Sequence, residues 1–196
     1  MTNQSVFFKH LAVFFFTIYL LPIYIIYLFK LHIVKDKEIR KYKKDIEIFK
    51  IGFFRVLYER PEYINVLYMR MGNISRLLKF YKRPYLYFYL PTSDKMGGGI
   101  HADHPHGTHL NLNKCGEGLH VKHNVTIGIN HGGIPTLGNN VYVGCGACIL
   151  GNIIIGNNVK VGANCVIISD VPDNATVVGN PAYIVRLNGT KVKIKL

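Results

Sequence analysis

Between Met96 and Pro172 the chain alternates inward and outward positions with a period of six. Written in units, it reads MGGGIH, ADHPHG, THLNLNK, CGEGLH, VKHNVT, IGINHGGIPT, LGNNVY, VGCGAC, ILGNII, IGNNVK, VGANCV and IISDVP. The first position is mostly aliphatic, as at Val121, Ile127, Val143, Ile149 and Val161, and the fifth is aliphatic or small, as at Leu119, Val125, Ala147 and Cys165. Glycine or alanine dominates the second, where a tight corner needs a small residue. Two inward residues per six-residue unit is the pattern of a parallel β-helix, each unit a short strand and a turn. One unit carries one extra residue and INHGGIPT carries four, which predicts a loop pushed out of the stack. Counted this way, His104, His123, Cys145 and Ala163 share the third position of successive turns, and His106 takes an inward fifth position as a core histidine.

Upstream the periodicity is different. Leu11 to Phe29 is an uncharged stretch of nineteen residues, near the length that spans a bilayer as a helix. It has no small-residue cleavage site, and Pro22 also allows a hairpin or a helix lying at the interface. Membrane association through residues 11–29 is therefore expected, with spanning and lying flat both open. Lys30, Lys35, Lys37, Arg40, Lys41, Lys43 and Lys44 follow directly, which by the positive-inside rule keeps the remainder in the cytoplasm. Residues 35–60 read as charged and then amphipathic helix. Ile64, Leu67, Met71, Ile74 and Leu78 continue the helical spacing, and KRPYLYFYLP reads as a strand or extended lead-in. The expected organisation is an apolar segment over 1–34, a helical region over 35–90, a β-helix over 91–188 and a basic tail over 189–196.

The net charge of +13 suggests an anionic partner. Residues 97–158, however, carry only Lys114 and Lys122 as cations, which argues against a nucleic-acid reader. The four cysteines, at 115, 145, 148 and 165, are expected as reduced thiols in a cytosolic domain. Cys145 and Cys148 have CxxC spacing without the strand-to-helix setting of a redox pair.

The closing stretch GNNVYVGCGACILGNIIIGNNVKVGANCVIISDVPDNATVVGNPAYIVR resembles the last coils of hexapeptide-repeat serine O-acetyltransferases. GGGIHADHPHGT through VTIG is similar to that family's GGG…H…T…VTIG stretch, especially in the members found in bacterial capsule and exopolysaccharide clusters. The resemblance covers about residues 62–188. It implies a mainly β fold, a left-handed parallel β-helix of hexapeptide repeats preceded by an α-helical region. It also implies a homotrimer, acetyl-CoA as acyl donor, and a hydroxyl of serine or a sugar as acceptor. Taken with the apolar segment and its basic flank, the expected location is a cytoplasmic catalytic domain at the inner membrane of a bacterium. Carried over residue by residue, it makes His104 the general base; Asp103 and Asp94 are the only acids nearby, and Asp103, next in the chain, is the candidate partner. His123, His131 and His106 become candidate acceptor contacts. Thr126, Gly128, Cys145, Gly146, Lys160 and Ala163 become candidates for lining the coenzyme. The family's upstream acid falls at Tyr89, and its second histidine near Gly133–Ile134, so neither is matched.

Direct transfer needs a base to take the hydroxyl proton and backbone donors for the oxyanion, without an acyl-enzyme. Two other readings stand beside it. His104, His123 and His131 could form a zinc site like that of γ-class carbonic anhydrases. The β-helix could also be a noncatalytic scaffold on a membrane.

Overall fold

The computed structural model describes residues 3–196 apart from 131, with side chains from residue 10 onward. The chain divides into two units, residues 1–84 and 85–196.

The first unit is helical. α1 (Asn3–Leu28) runs into a π-helical turn ending at Ile33. α2 (Lys37–Glu47) starts at Asp36, whose carboxylate accepts the Glu38 and Ile39 amides at 2.8 and 3.3 Å, satisfying two donors that a helix start leaves open. Ile39, Tyr42 and Ile46 bury one face of α2, and Lys37, Arg40, Lys43 and Lys44 stay exposed. α3 (Phe53–Glu59), α4 (Tyr63–Met71) and α5 (Ser75–Tyr81) complete the unit. Its interior holds one ionic cluster. Arg70 Nε lies 3.0 Å from Asp45, both side chains fully buried, and Arg70 Nη1 lies 3.5 Å from Glu38. Pairing offsets the desolvation of these charges.

The second unit is a parallel β-helix with three faces. One face stacks strands 88–89, 108–110, 126–128, 148–150 and 166–167; a second stacks 114–115, 136–137 and 154–155. The third stacks 101–102, 120–121, 142–143, 160–161 and 175–178, and continues into antiparallel strands 183–187 and 190–195. The expected inward positions form the core: Val121, Val125, Ile127, Val141, Val143, Ala147, Ile149, Val159, Val161, Cys165 and Ile167 are all inaccessible to solvent. Register reports the loop. Tyr142 pairs with Lys160, eighteen residues on, whereas His120 pairs with Tyr142, twenty-two on. The four extra residues of INHGGIPT account for the difference.

The repeated Asn-Asn pairs have a physical cause. Asn140, Asn158 and Asn174 turn the chain at φ of 54°, 55° and 58°, a left-handed conformation that asparagine tolerates better than most residues. Their amides ladder along the stack, Asn140 donating to Asn158 at 3.2 Å and Asn158 to Asn174 at 2.9 Å.

Two boundaries shift here. KRPYLYFYLP does hold a strand, Phe88–Tyr89, and its pairing with Thr108–His109 starts the β-region ahead of the repeat, because Phe88 fills the first core layer without a hexad of its own. Residues 189–196, expected as a basic tail, carry strand Thr190–Lys195, paired with Tyr183–Leu187.

Candidate active site

The candidate site lies at the corner joining the face that holds 101–102 to the face that holds 108–110. In the coil above, His120 and Thr126 flank this corner six residues apart; in the first coil their partners His101 and His109 are eight apart. The corner at 103–107 therefore has two residues more than its successor. The extra length lets His104 adopt a left-handed φ of 50°. It also changes which residues stack. The amide of Asn124 donates to the His106 carbonyl at 2.7 Å, that of Gly146 to His123 at 3.0 Å, and that of Asn164 to Cys145 at 2.8 Å. The strip is thus His106, His123, Cys145 and Ala163. The sequence count had put His104 in this column and His106 in the core; both placements are corrected. His106 is exposed, and buried Pro105 and Thr108 fill the space beside it. Thr108 supports the corner from inside, its Oγ1 donating to the Lys122 carbonyl at 2.8 Å.

Glycine is required at two points of the corner. Gly107 and Gly146 have φ of 67° and 69°. A Cβ on either would run into the side-chain oxygen of Asn124 or Asn164 in the following coil.

The polar side chains converge as follows. His104 Nε2 lies 3.7 Å from Asp103 Oδ1, and its side chain is 72% exposed. That separation suits an ion pair once the ring is protonated, rather than a hydrogen bond to the neutral ring. Asp103 Oδ2 accepts a hydrogen bond from Lys122, and this bond holds the Lys122 ammonium above its usual pKa. The Tyr85 hydroxyl lies 2.7 Å from His106 Nε2 and 3.0 Å from Nδ1. Tyr89, which occupies the family's acid position, packs its ring edge-on against His109 at 5.5 Å. Beside the corner, His101 and His120 stack at 4.1 Å, and Tyr142 meets His120 edge-on at 4.9 Å. Burial, with His101 and Lys122 adding, pushes the His120 pKa down to about 4, so its imidazole is neutral at physiological pH.

Of the coenzyme candidates, Cys145, Gly146 and Ala163 sit on the corner itself. Thr126 lies on one flanking face and the exposed Lys160 on the other, while Gly128 is buried at the far end of the Thr126 strand. Along the strip the side chains change from two histidines to cysteine and alanine in its last two coils. Lys160 is a cation within three residues of that edge, suited to phosphate. His131 lies outside the described residues. Among the described residues no three His, Cys, Asp or Glu side chains come close enough to share a metal ion.

Tyr85 and Lys122 were not among the sequence candidates. Lys122 could have been found, because it is the only cation in its hexad and sits one turn above Asp103. Tyr85 precedes the repeat, so no periodicity pointed to it.

The description of bacterial transferase hexapeptide repeats matches residues 135–169. The serine acetyltransferase of Staphylococcus xylosus is 32% identical over 146 residues, covering 69% of this chain and 61% of that protein. The chloroplastic serine acetyltransferase 1 of Arabidopsis thaliana is 43% identical over 99 residues, covering 46% of this chain and 31% of its own length. The crystal structure of the Neisseria gonorrhoeae serine acetyltransferase superposes with a TM-score of 0.61 at 26% identity, over 76% of this chain and 67% of that one. Fold and repeat together define a hexapeptide-repeat protein. Within that class the chain is serine-O-acetyltransferase-like. It spans less than two thirds of the length of these curated relatives.

Proposed function

We propose that the chain transfers an acetyl group from acetyl-CoA to a hydroxyl, with serine the acceptor that its relatives' names favour and a sugar hydroxyl the alternative. The observation that carries the reading is the corner: Asp103 and His104 lie next to a strip that runs from His106 and His123 to Cys145 and Ala163. In this reading neutral His104 takes the proton of the acceptor hydroxyl as its oxygen attacks the thioester carbonyl. The resulting imidazolium lies within ion-pair distance of Asp103, whose carboxylate is held in place by the hydrogen bond it accepts from Lys122. Backbone N–H groups of a neighbouring coil or loop stabilise the oxyanion. The carbon–sulfur bond then breaks, and the departing thiolate takes the proton back from His104. His106, held by the Tyr85 hydroxyl, and His123 line the approach of the acceptor. A homotrimer, as the family resemblance implies, would close the groove with a second copy of the chain.

The test pairs an acetyl-transfer assay on serine and on sugar acceptors with calorimetry of acetyl-CoA binding. His104→Ala should lower kcat by at least about a hundredfold, the scale of a lost general base, with coenzyme affinity unchanged. Full activity in that variant, together with loss in His106→Ala, would move the base to the stacked histidine.

A further inference from the structure

One surface of the helical unit is not used by acyl transfer. α1 is apolar all round, yet the unit covers only one side of it. At about 100° per residue, Phe16, Leu20, Ile23 and Tyr27 form one stripe, and Phe14, Ile18, Leu21, Ile25 and Phe29 the opposite one. On the first stripe Leu20 and Ile23 are fully buried, and the rings of Phe16 and Tyr27 pack on Tyr58 and Phe53 at 5.5 and 4.9 Å. On the second, exposure runs from 45% at Leu21 to 58% at Phe14. α5 carries further exposed apolar side chains. It is tied to α1 where Tyr19 and Tyr81 stack at 5.0 Å and each hydroxyl donates to the other residue's carbonyl. There Leu77 and Phe80, 71% and 89% exposed, alternate with Arg76, Lys79 and Lys82.

By length and composition the segment His10–Ile33 could cross a bilayer, but its packed stripe opposes this. Crossing alone would strip Leu20, Ile23 and Tyr27 from their partners. Crossing with the unit intact would carry α3 in as well, since it runs beside α1 from Phe53 on Tyr27 to Tyr58 on Phe16, and would immerse its Arg55 and Glu59, each costly in hydrocarbon. Charge indicates the occupant. Residues 1–84 hold 16 Lys and Arg against 6 Asp and Glu, a net +10 of the chain's +13. Pairing with a second copy would bring two such surfaces together, whereas anionic headgroups complement them.

We propose that residues 1–84 dock in the plane of an anionic lipid bilayer. The open stripe of α1, with Leu77 and Phe80, enters the interfacial layer, and the basic side chains sit among the headgroups.

The chain has no tryptophan, so Phe14→Trp, Leu21→Trp and Phe29→Trp each give a clean depth probe in the full-length protein. With phosphatidylglycerol-containing vesicles and brominated lipids, all three should be quenched at the same shallow depth. A profile deepest at position 21 and shallow at 14 and 29, which lie about 22 Å apart along the helix, would show a spanning segment and overturn the proposal. The unmodified chain should float with these vesicles and much less with pure phosphatidylcholine; equal flotation, or none, would also overturn it. Ile18→Ser with Ile25→Ser should lower partitioning at least about tenfold with the circular dichroism unchanged. Unchanged partitioning, or a dimer that this pair of substitutions dissolves in a chain that ignores lipid, would assign the surface to another partner.

Discussion

Ile149 and Ile25 are the same residue in the two halves of the molecule, one inaccessible and the other 57% exposed. The difference teaches what periodicity can reveal. In the β-helix each coil has one inside, and six residues return the chain to it, so an aliphatic at position one or five is buried by construction. In α1 every face is apolar, so no period distinguishes the side that packs from the side left open. Only the partners on α2 and α3 make that distinction.

The contrast can be broken at several points. The largest effect is expected inside the helical unit: Asp45→Ala removes the fully buried carboxylate 3.0 Å from Arg70 and should cost about 3–5 kcal/mol, read as a loss of stability in urea unfolding. Next comes the matched pair. Ile149→Ala opens a cavity in the β-helix core and should cost about 3 kcal/mol, whereas Ile25→Ala should stay within about 0.5 kcal/mol. Equal losses at the two sites would mean that α1 is covered on both sides. A smaller effect follows pH. His120 has its folded pKa lowered from 6.5 to about 4. Between those values the unfolded chain binds the proton and the folded chain does not, so stability is lost as pH falls from 6.5 towards 4 and levels off below. His120→Gln should make the melting temperature less steep in that window, and an unchanged slope would contradict the assignment.

Much of the β-helix was legible in the sequence. The hexads placed nearly every core residue, and the surplus in INHGGIPT located the loop that the strand register then measured. The corner was not legible, because His101 to His109 spans eight residues where a regular coil has six, and His109 to His120 spans eleven where it has twelve. The net surplus is the single extra residue that the count absorbs in THLNLNK, so counting in sixes stays in phase on both sides and misplaces only the residues between. Those were the residues of most interest, His104 and His106. The contacts of Tyr85 and Tyr89 were hidden for another reason, since both enter the stack ahead of the repeat. The orienting acid sought upstream of His104 has its nearest structural counterpart next door, at Asp103.

The most direct test of the acyl-transfer reading is release of the coenzyme thiol from acetyl-CoA by the purified chain, followed with and without a hydroxyl acceptor. The account predicts release that depends on serine or a sugar and is lost in His104→Ala. Release without an acceptor, or acceptor-dependent release that His104→Ala leaves intact, would contradict it.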